Sequence, residues 1–128
     1  YGICSPLPSQ ASGIIDLPIK RAPDTIMLRT VAEDGAGAVT EYRVILPMDN
    51  DMALVEFILH TGRTHQIRVH TSYLGFPLVG DTLYGGRQIP EMQLSGQALF
   101  AGKIFFTHPV TKEKLCIEAP LPKWWPEK

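Results

Sequence analysis

Hydrophobic and polar positions alternate most clearly over two neighbouring stretches. In Ala38–Leu46, Tyr42, Val44 and Leu46 share one face. In Ala53–Thr61, Ala53, Val55, Phe57 and Leu59 alternate against Glu56 and His60. A period of two predicts strands, and the turn signal Pro47–Asp51 between them predicts an antiparallel hairpin. Upstream, Thr25–Val31 reads as a strand, closed by the turn Asp34-Gly35-Ala36-Gly37. The period changes at Thr64–Leu74. Thr64 is placed to cap a helix, Ile67 and Leu74 fall on one stripe, and Gly75 with Pro77 ends it. A loop through Gly80-Asp81 and Tyr84-Gly85-Gly86 follows, then residues 89–98, which fit a short helix without clear periodicity. Leu99–Thr107 is a strongly apolar strand, turned at Thr111-Lys112 and returned by Lys114–Glu118. Residues 1–25, rich in Pro, Ser and Gly, read as loop with short extended pieces. Tyr1–Cys4 looks like the end of a strand begun upstream, and the expectation is that the chain lacks an N-terminal part. About five strands and one helix predict an α+β domain on a mostly antiparallel mixed sheet.

With 128 residues, the chain suffices for one domain, and 45% hydrophobic against 20% charged residues exclude a disordered tail. No apolar run is long enough for a membrane helix, so no membrane partner is expected. No secretory leader is visible, and two cysteines, Cys4 and Cys116, fit a reducing compartment. The expected location is therefore cytoplasmic. The formal net charge is −1, which by itself argues against nucleic acid. The average hides a segregation, because no acidic residue lies between Glu56 and Asp81, a window that holds His60, Arg63, His65, Arg68 and His70. An anionic ligand responds to that local field rather than to net charge.

The densest polar cluster, Thr61–His70, joins a strand to a helix start. Backbone N–H groups at a helix N-terminus attract anions, and Arg63 and His65 flank that end as a phosphate or carboxylate site would need. The competing reading is a capped helix with solvated arginines. Zinc is disfavoured: five helical residues rotate by about 140°, so His65 and His70 do not share a face, and neither cysteine adds a ligand spacing. No metal site is expected. No serine sits in a Gly-x-Ser-x-Gly elbow, and no Gly-rich phosphate loop precedes a helix. Asp81 after Gly80 reads as a turn or capping residue. Tyr1 could stack on a base or simply pack. Trp124 and Trp125 read as cover for the core.

Thr61-Gly62-Arg63-Thr64-His65-Gln66-Ile67-Arg68-Val69-His70, followed by Gly75-Phe76-Pro77-Leu78-Val79-Gly80-Asp81 and Tyr84-Gly85, closely resembles the RluA-type RNA pseudouridine synthases, which modify ribosomal and transfer RNA. Gly13–Ile19 resembles that family's Gly-x-Ile-Asp-x-Pro-Ile, and Ala38–Tyr42 its Ala-x-Thr-x-Tyr. Gln97-Ala98-Leu99, Phe106–Pro109 and Glu118–Pro122 fit its C-terminal part. The resemblance runs in order along nearly the whole chain, and the first motif is the specific one.

The resemblance implies isomerisation of uridine to pseudouridine in RNA, without a cofactor. The family's nucleophile is an aspartate in an Arg-Leu-Asp-x-x-Thr-Ser-Gly motif that this sequence does not contain. Residues 1–128 are thus expected to be the C-terminal portion of a catalytic domain, inactive alone. The partners would be RNA and the N-terminal half of the same polypeptide, and the fragment would tend to self-associate through edges left open. By the same resemblance, Arg68 matches the arginine that pairs with the catalytic aspartate. Tyr1 matches the tyrosine that stacks on the target uracil and assists proton removal from carbon five. Ile67 packs beneath the site, and Arg63 and His65 make RNA-backbone or structural contacts. One departure is that the family's Gly-Lys before Ala-x-Thr is here Gly35-Ala36, which loses a basic contact. Two other readings stand beside this one: a non-catalytic RNA-binding module on the same scaffold, and a structural domain whose basic helix start is only a cap.

Overall fold

A computed structural model describes residues 1–23, 28–89, 96–107, 109–118 and 122; within 103–107 and 115–117 it describes backbone alone. Trp124, Trp125, most of 89–98 and part of the strand expected at 25–31 lie outside the described residues. The elements, in order, are β1 (Gly2–Cys4), β2 (Ser12–Asp16), β3 (Ile19–Arg21), β4 (Arg29–Val31), β5 (Val39–Met48), β6 (Met52–Leu59), α1 (Gln66–Leu74), a 3₁₀ turn at Thr82–Tyr84, β7 (Lys103–Thr107) and β8 (Lys114–Glu118). Four strands form an antiparallel sheet in the order β1-β6-β5-β2, while β3-β4 and β7-β8 form two-stranded sheets. The α+β expectation is met.

The β5–β6 hairpin is the spine of the sheet. It turns on Asn50 and Asp51 at φ 63° and 59°, two residue types whose short polar side chains tolerate the left-handed region. The turn is narrower than the sequence reading placed it, because Pro47 is still paired, with Ala53. Its lack of an N–H is tolerated there, since β2 pairs only with Val39–Arg43 and leaves that end of β5 at the sheet edge. A bulge between Val44 and Leu46 shifts the register.

Both faces of β6 are covered along its first half, so Met52–Val55 are buried without alternation. Ala53 and Val55 join Cys4, Ile15, Tyr42, Phe76 and Leu78 on one side. Met52 and Leu54 join Ile3, Val79 and Ala98 on the other. Beyond Glu56 the cover ends, and Ile58 and Leu59 stand 45% and 50% exposed. Leu59 was expected inside.

The N-terminal region holds more structure than its Pro and Gly content suggested. β2 is a full edge strand of the main sheet, in register Ser12↔Arg43 through Asp16↔Val39. At the other end Leu99 only bridges Gly2, and the apolar strand begins at Lys103. Among the described residues no helix is long and apolar enough to cross a membrane.

Candidate functional site

β6 runs into the Thr61–His65 loop, which aims α1 back across β4 and β5. The helix starts at Gln66, and its N-cap is His65 in the left-handed conformation (φ 56°, ψ 23°), with no side-chain cap bond. Thr64 therefore does not cap it, contrary to the sequence reading. The buried Gln66 amide organises the loop instead. Its Oε1 accepts from Arg63 N (3.0 Å) and Thr61 Oγ1 (2.7 Å). Its Nε2 donates to Val39 O and Thr40 Oγ1, both at 2.9 Å. At the far end Gly75, at φ 90°, lets the chain leave, with Phe76 N donating to Thr71 O.

The same network continues to His70, which is fully buried. His70 Nε2 lies 2.9 Å from Leu17 O and so carries the proton. Nδ1 then accepts from Thr40 Oγ1 at 2.9 Å. Protonation at Nδ1 would break that bond, and burial holds the imidazole below its usual pKa, against weaker opposition from Leu17 O and Asp16. His65 shifts in the same direction, through burial and then the positive charges of Arg68 and Arg29. A histidine base with a lowered folded-state pKa contributes stability above its unfolded value of 6.5, and that stability is lost as the pH falls below it. The urea midpoint is expected to be level from pH 8 to 7 and to fall below pH 6.5. His70→Gln should flatten that slope at the cost of a lower midpoint throughout.

Arg68 is held by a residue that the sequence reading assigned to a turn. Its Nε and Nη2 donate to Asp81 Oδ2 at 3.0 Å and Oδ1 at 2.8 Å. The Asp81 side chain is 1% exposed and that of Arg68 15%. The bidentate bond raises the Arg68 pKa further. The Arg68 guanidinium also lies 5.0 Å from the centre of the Tyr84 ring. Tyr84 ties three elements together: its hydroxyl accepts from Arg29 N at 2.9 Å and lies 2.7 Å from His65 Nδ1, and its carbonyl accepts from Ser72 Oγ. The His65 ring meets the Tyr84 ring edge-on. His65 and Arg68 thus gather around Tyr84. Arg63 is turned away, with Nε donating to Gly37 O at 2.9 Å on the surface.

Tyr1 and Ile67 line a different space, a cavity of about 620 Å³ walled by Glu56–Leu59, Leu99 and Phe100–Gly102. The Tyr1 ring stacks on Phe100 with centroids 6.4 Å apart at 24°. Gly102 lies against its face, where a Cβ would come within 2.7 Å. The Tyr1 hydroxyl donates to Glu56 Oε2 at 3.4 Å, and Glu56 Oε1 pairs with Arg43 at 3.0 Å. Ile67 and Arg68 are consecutive on α1, about 100° apart around its axis. The cavity wall and the ion pair are therefore supplied by successive residues of α1, Ile67 to the first and Arg68 to the second. Among the described residues, no three His, Cys, Asp or Glu side chains gather as a metal would need.

The sequence reading missed Asp81, Tyr84, Gln66 and Glu56. Gln66 lies inside the specific motif and Asp81 and Tyr84 in the two segments that follow it, where their presence was the available signal. No pattern marked Glu56.

The family described as RNA pseudouridylate synthase matches residues 1–73. The uncharacterized RNA pseudouridine synthase YjbO of Bacillus subtilis is 50% identical over 115 residues, 90% of this chain and 39% of its own length. Ribosomal large subunit pseudouridine synthase D of Vibrio cholerae is 45% identical over 123 residues, 88% of this chain and 38% of its own length. The chain therefore spans under two-fifths of each of these relatives. Human RNA pseudouridylate synthase domain containing 1 superposes with a TM-score of 0.73 at 25% identity, covering 94% of this chain and 53% of its own.

Proposed function

The chain belongs to the RNA pseudouridylate synthase family, and on that premise we propose that the whole protein converts uridine to pseudouridine in RNA, with residues 1–128 supplying the C-terminal part of its catalytic domain. The observation that carries this reading is the succession Ile67–Arg68 on α1, which puts one residue in the wall of the aromatic cavity at Tyr1 and the next in the ion pair with Asp81.

In this reading an aspartate from the N-terminal half attacks the ribosyl-uracil unit. The bond from the sugar to uracil N1 breaks, the base rotates, and a bond from the sugar to carbon five forms as the bond between the aspartate and the substrate breaks, releasing the carboxylate. Carbon five then loses its proton while N1 gains one. A base held this way must be out of its stack, and the flat walls of Tyr1 and Phe100 suit that. Arg68 keeps the nucleophilic carboxylate ionised and oriented. Ile67 packs beneath the base, and Tyr1 stacks on it and assists removal of the carbon-five proton. Outside the cavity, Arg63 on the surface and His65 beside Tyr84 contact phosphates. The substrate is ribosomal or transfer RNA, and the protein works in the cytoplasm without a cofactor. Outside its complete domain, the chain self-associates through the β2 edge, where Ile14 is 69% exposed.

Tritium release from RNA labelled at carbon five of uridine tests this directly. The full chain encoded by the gene is expected to release tritium, and residues 1–128 alone are not, because covalent catalysis does not survive loss of the nucleophile. Turnover by residues 1–128 would refute the division of labour. Salt-dependent RNA binding by the full chain with no tritium release would refute the catalytic reading and leave an RNA-binding module.

A further inference from the structure

We propose that Asp81 is a positioning residue for Arg68, leaving the Nη1/Nη2 edge of the guanidinium as a fixed donor pair for a second carboxylate. This rests on the reading above, in which that second carboxylate is the nucleophile. A guanidinium carries five N–H bonds in a rigid plane. Asp81 takes the Nε hydrogen and one Nη2 hydrogen. One Nη2 hydrogen and both Nη1 hydrogens remain, and among the described residues no other acceptor meets Arg68. The Nη1/Nη2 edge carries two parallel N–H bonds, the spacing that a carboxylate accepts in a fork. The 15% exposure of the Arg68 side chain leaves it approachable.

Asp81 is suited to hold this geometry because its own backbone is held by hydrogen bonds. Its N–H donates to Leu78 O, and its carbonyl accepts from Tyr84 N and Gly86 N. Gly86 has no room for a side chain, since a Cβ would come within 2.9 Å of Asp81 N and O and closer still to Leu78 O. The Tyr84 ring, 5.0 Å from the guanidinium carbon, limits tilting of the plane. With Nε and Nη2 both engaged, rotation of the plane would break the bonds to Asp81.

The charge balance gives the arrangement a consequence beyond geometry. Arg68 and Asp81 together are neutral, so a second carboxylate meets an oriented pair of donors rather than a net cation. Its pKa is lowered less than a lone guanidinium would lower it.

The test is the pH–rate profile of tritium release by the full encoded chain. Asp81→Asn keeps the side-chain shape and removes the charge. It is expected to lower the kcat plateau by about tenfold or more, leave KM for the RNA within about threefold, and move the acid limb down by about one pH unit. Asp81→Glu keeps the charge and displaces it. It should lower the plateau without moving the limb; a limb that moves in Asp81→Asn and stays in Asp81→Glu is an outcome that a purely structural role for Asp81 does not produce. Folded Asp81→Asn protein with wild-type plateau and limb would overturn the proposal. A second measurement needs no variant: in ¹⁵N spectra of the wild-type protein, Arg68 Nε–H should exchange slowly with water, and fast exchange would overturn the proposal equally. Slow exchange in a wild-type protein that releases no tritium would instead locate the failure in the catalytic reading.

Discussion

Arg68→Ala is expected to destabilise the fold by about 3–5 kcal/mol, the usual cost of removing one partner from a buried ion pair. The size follows from which partner is left behind. Asp81 is 1% exposed on its side chain, and without the guanidinium its carboxylate has neither water nor a donor. A domain of this size has about 5–15 kcal/mol in total, so the variant would sit near the edge of folding. The stranded carboxylate escapes by taking up a proton, so the loss should shrink at low pH, opposite in direction to the slope that His70 and His65 give the native chain. Replacing both partners by apolar residues, as in Arg68→Met with Asp81→Leu, should recover most of the lost stability, because the desolvation cost disappears along with the attraction. Urea melts of the three chains at pH 5 and pH 7.5 check this. A small loss in Arg68→Ala, or no recovery in the double variant, would show that the pair is solvated. Arg68→Ala alone is accordingly a poor probe of chemistry: it disables the fold and the proposed catalytic partner together, whereas Asp81→Asn and Asp81→Glu separate them.

Local patterning in the sequence carried the spine of the fold. The β5–β6 hairpin and α1 were legible because period two, period 3.6 and the Gly75 stop are local signals. Alternation failed on β6 because it assumes one wet face. Met52–Val55 are covered on both sides by segments distant in sequence, Ile3 and Val79 above all. β2 was illegible for a related reason: its pairing partner is β5, more than twenty residues away, and Ser12-Gly13-Ile14-Ile15-Asp16 has little β character of its own. In the site, Tyr1, Ile67 and Arg68 were named through resemblance; Tyr1 and Ile67 line one cavity, and Arg68 follows Ile67 on α1. The partnership of Arg68 with Asp81 spans thirteen residues and a loop, so periodicity could not carry it. The cap was misread because Thr64 is a good capping residue, whereas the left-handed His65 makes Gln66, inside the helix, the residue that satisfies the loop.

That displaced capping role makes Gln66→Ala the second large loss, about 3 kcal/mol or more. Gln66 is 3% exposed and makes four hydrogen bonds, to Thr61, Arg63, Val39 and Thr40. Truncation leaves Arg63 N and the Thr61 hydroxyl short of an acceptor, while Val39 O keeps His60 N, in a space that four heavy atoms have vacated. Each buried polar group left unpaired costs about 1–3 kcal/mol. Gln66→Glu is the sharper variant, since its volume is nearly unchanged. A carboxylate still accepts from Thr61 and Arg63, but it faces Val39 O and Thr40 Oγ1 with no hydrogen to give. Thr40 Oγ1 can turn its own hydrogen toward the carboxylate only by withdrawing it from His70 Nδ1. The histidine would then favour its protonated form, and its pKa should rise. Gln66→Glu is therefore expected to lose stability at pH 7.5 and regain part of it near pH 5.5, reversing the native slope, with the ring signals of His70 titrating at higher pH in NMR spectra. An unchanged His70 titration in a folded Gln66→Glu chain would show that the amide and the imidazole are not linked through Thr40. If they are linked, the loop that carries Arg63 and His65 is held by the same chain of bonds that reports pH from the core.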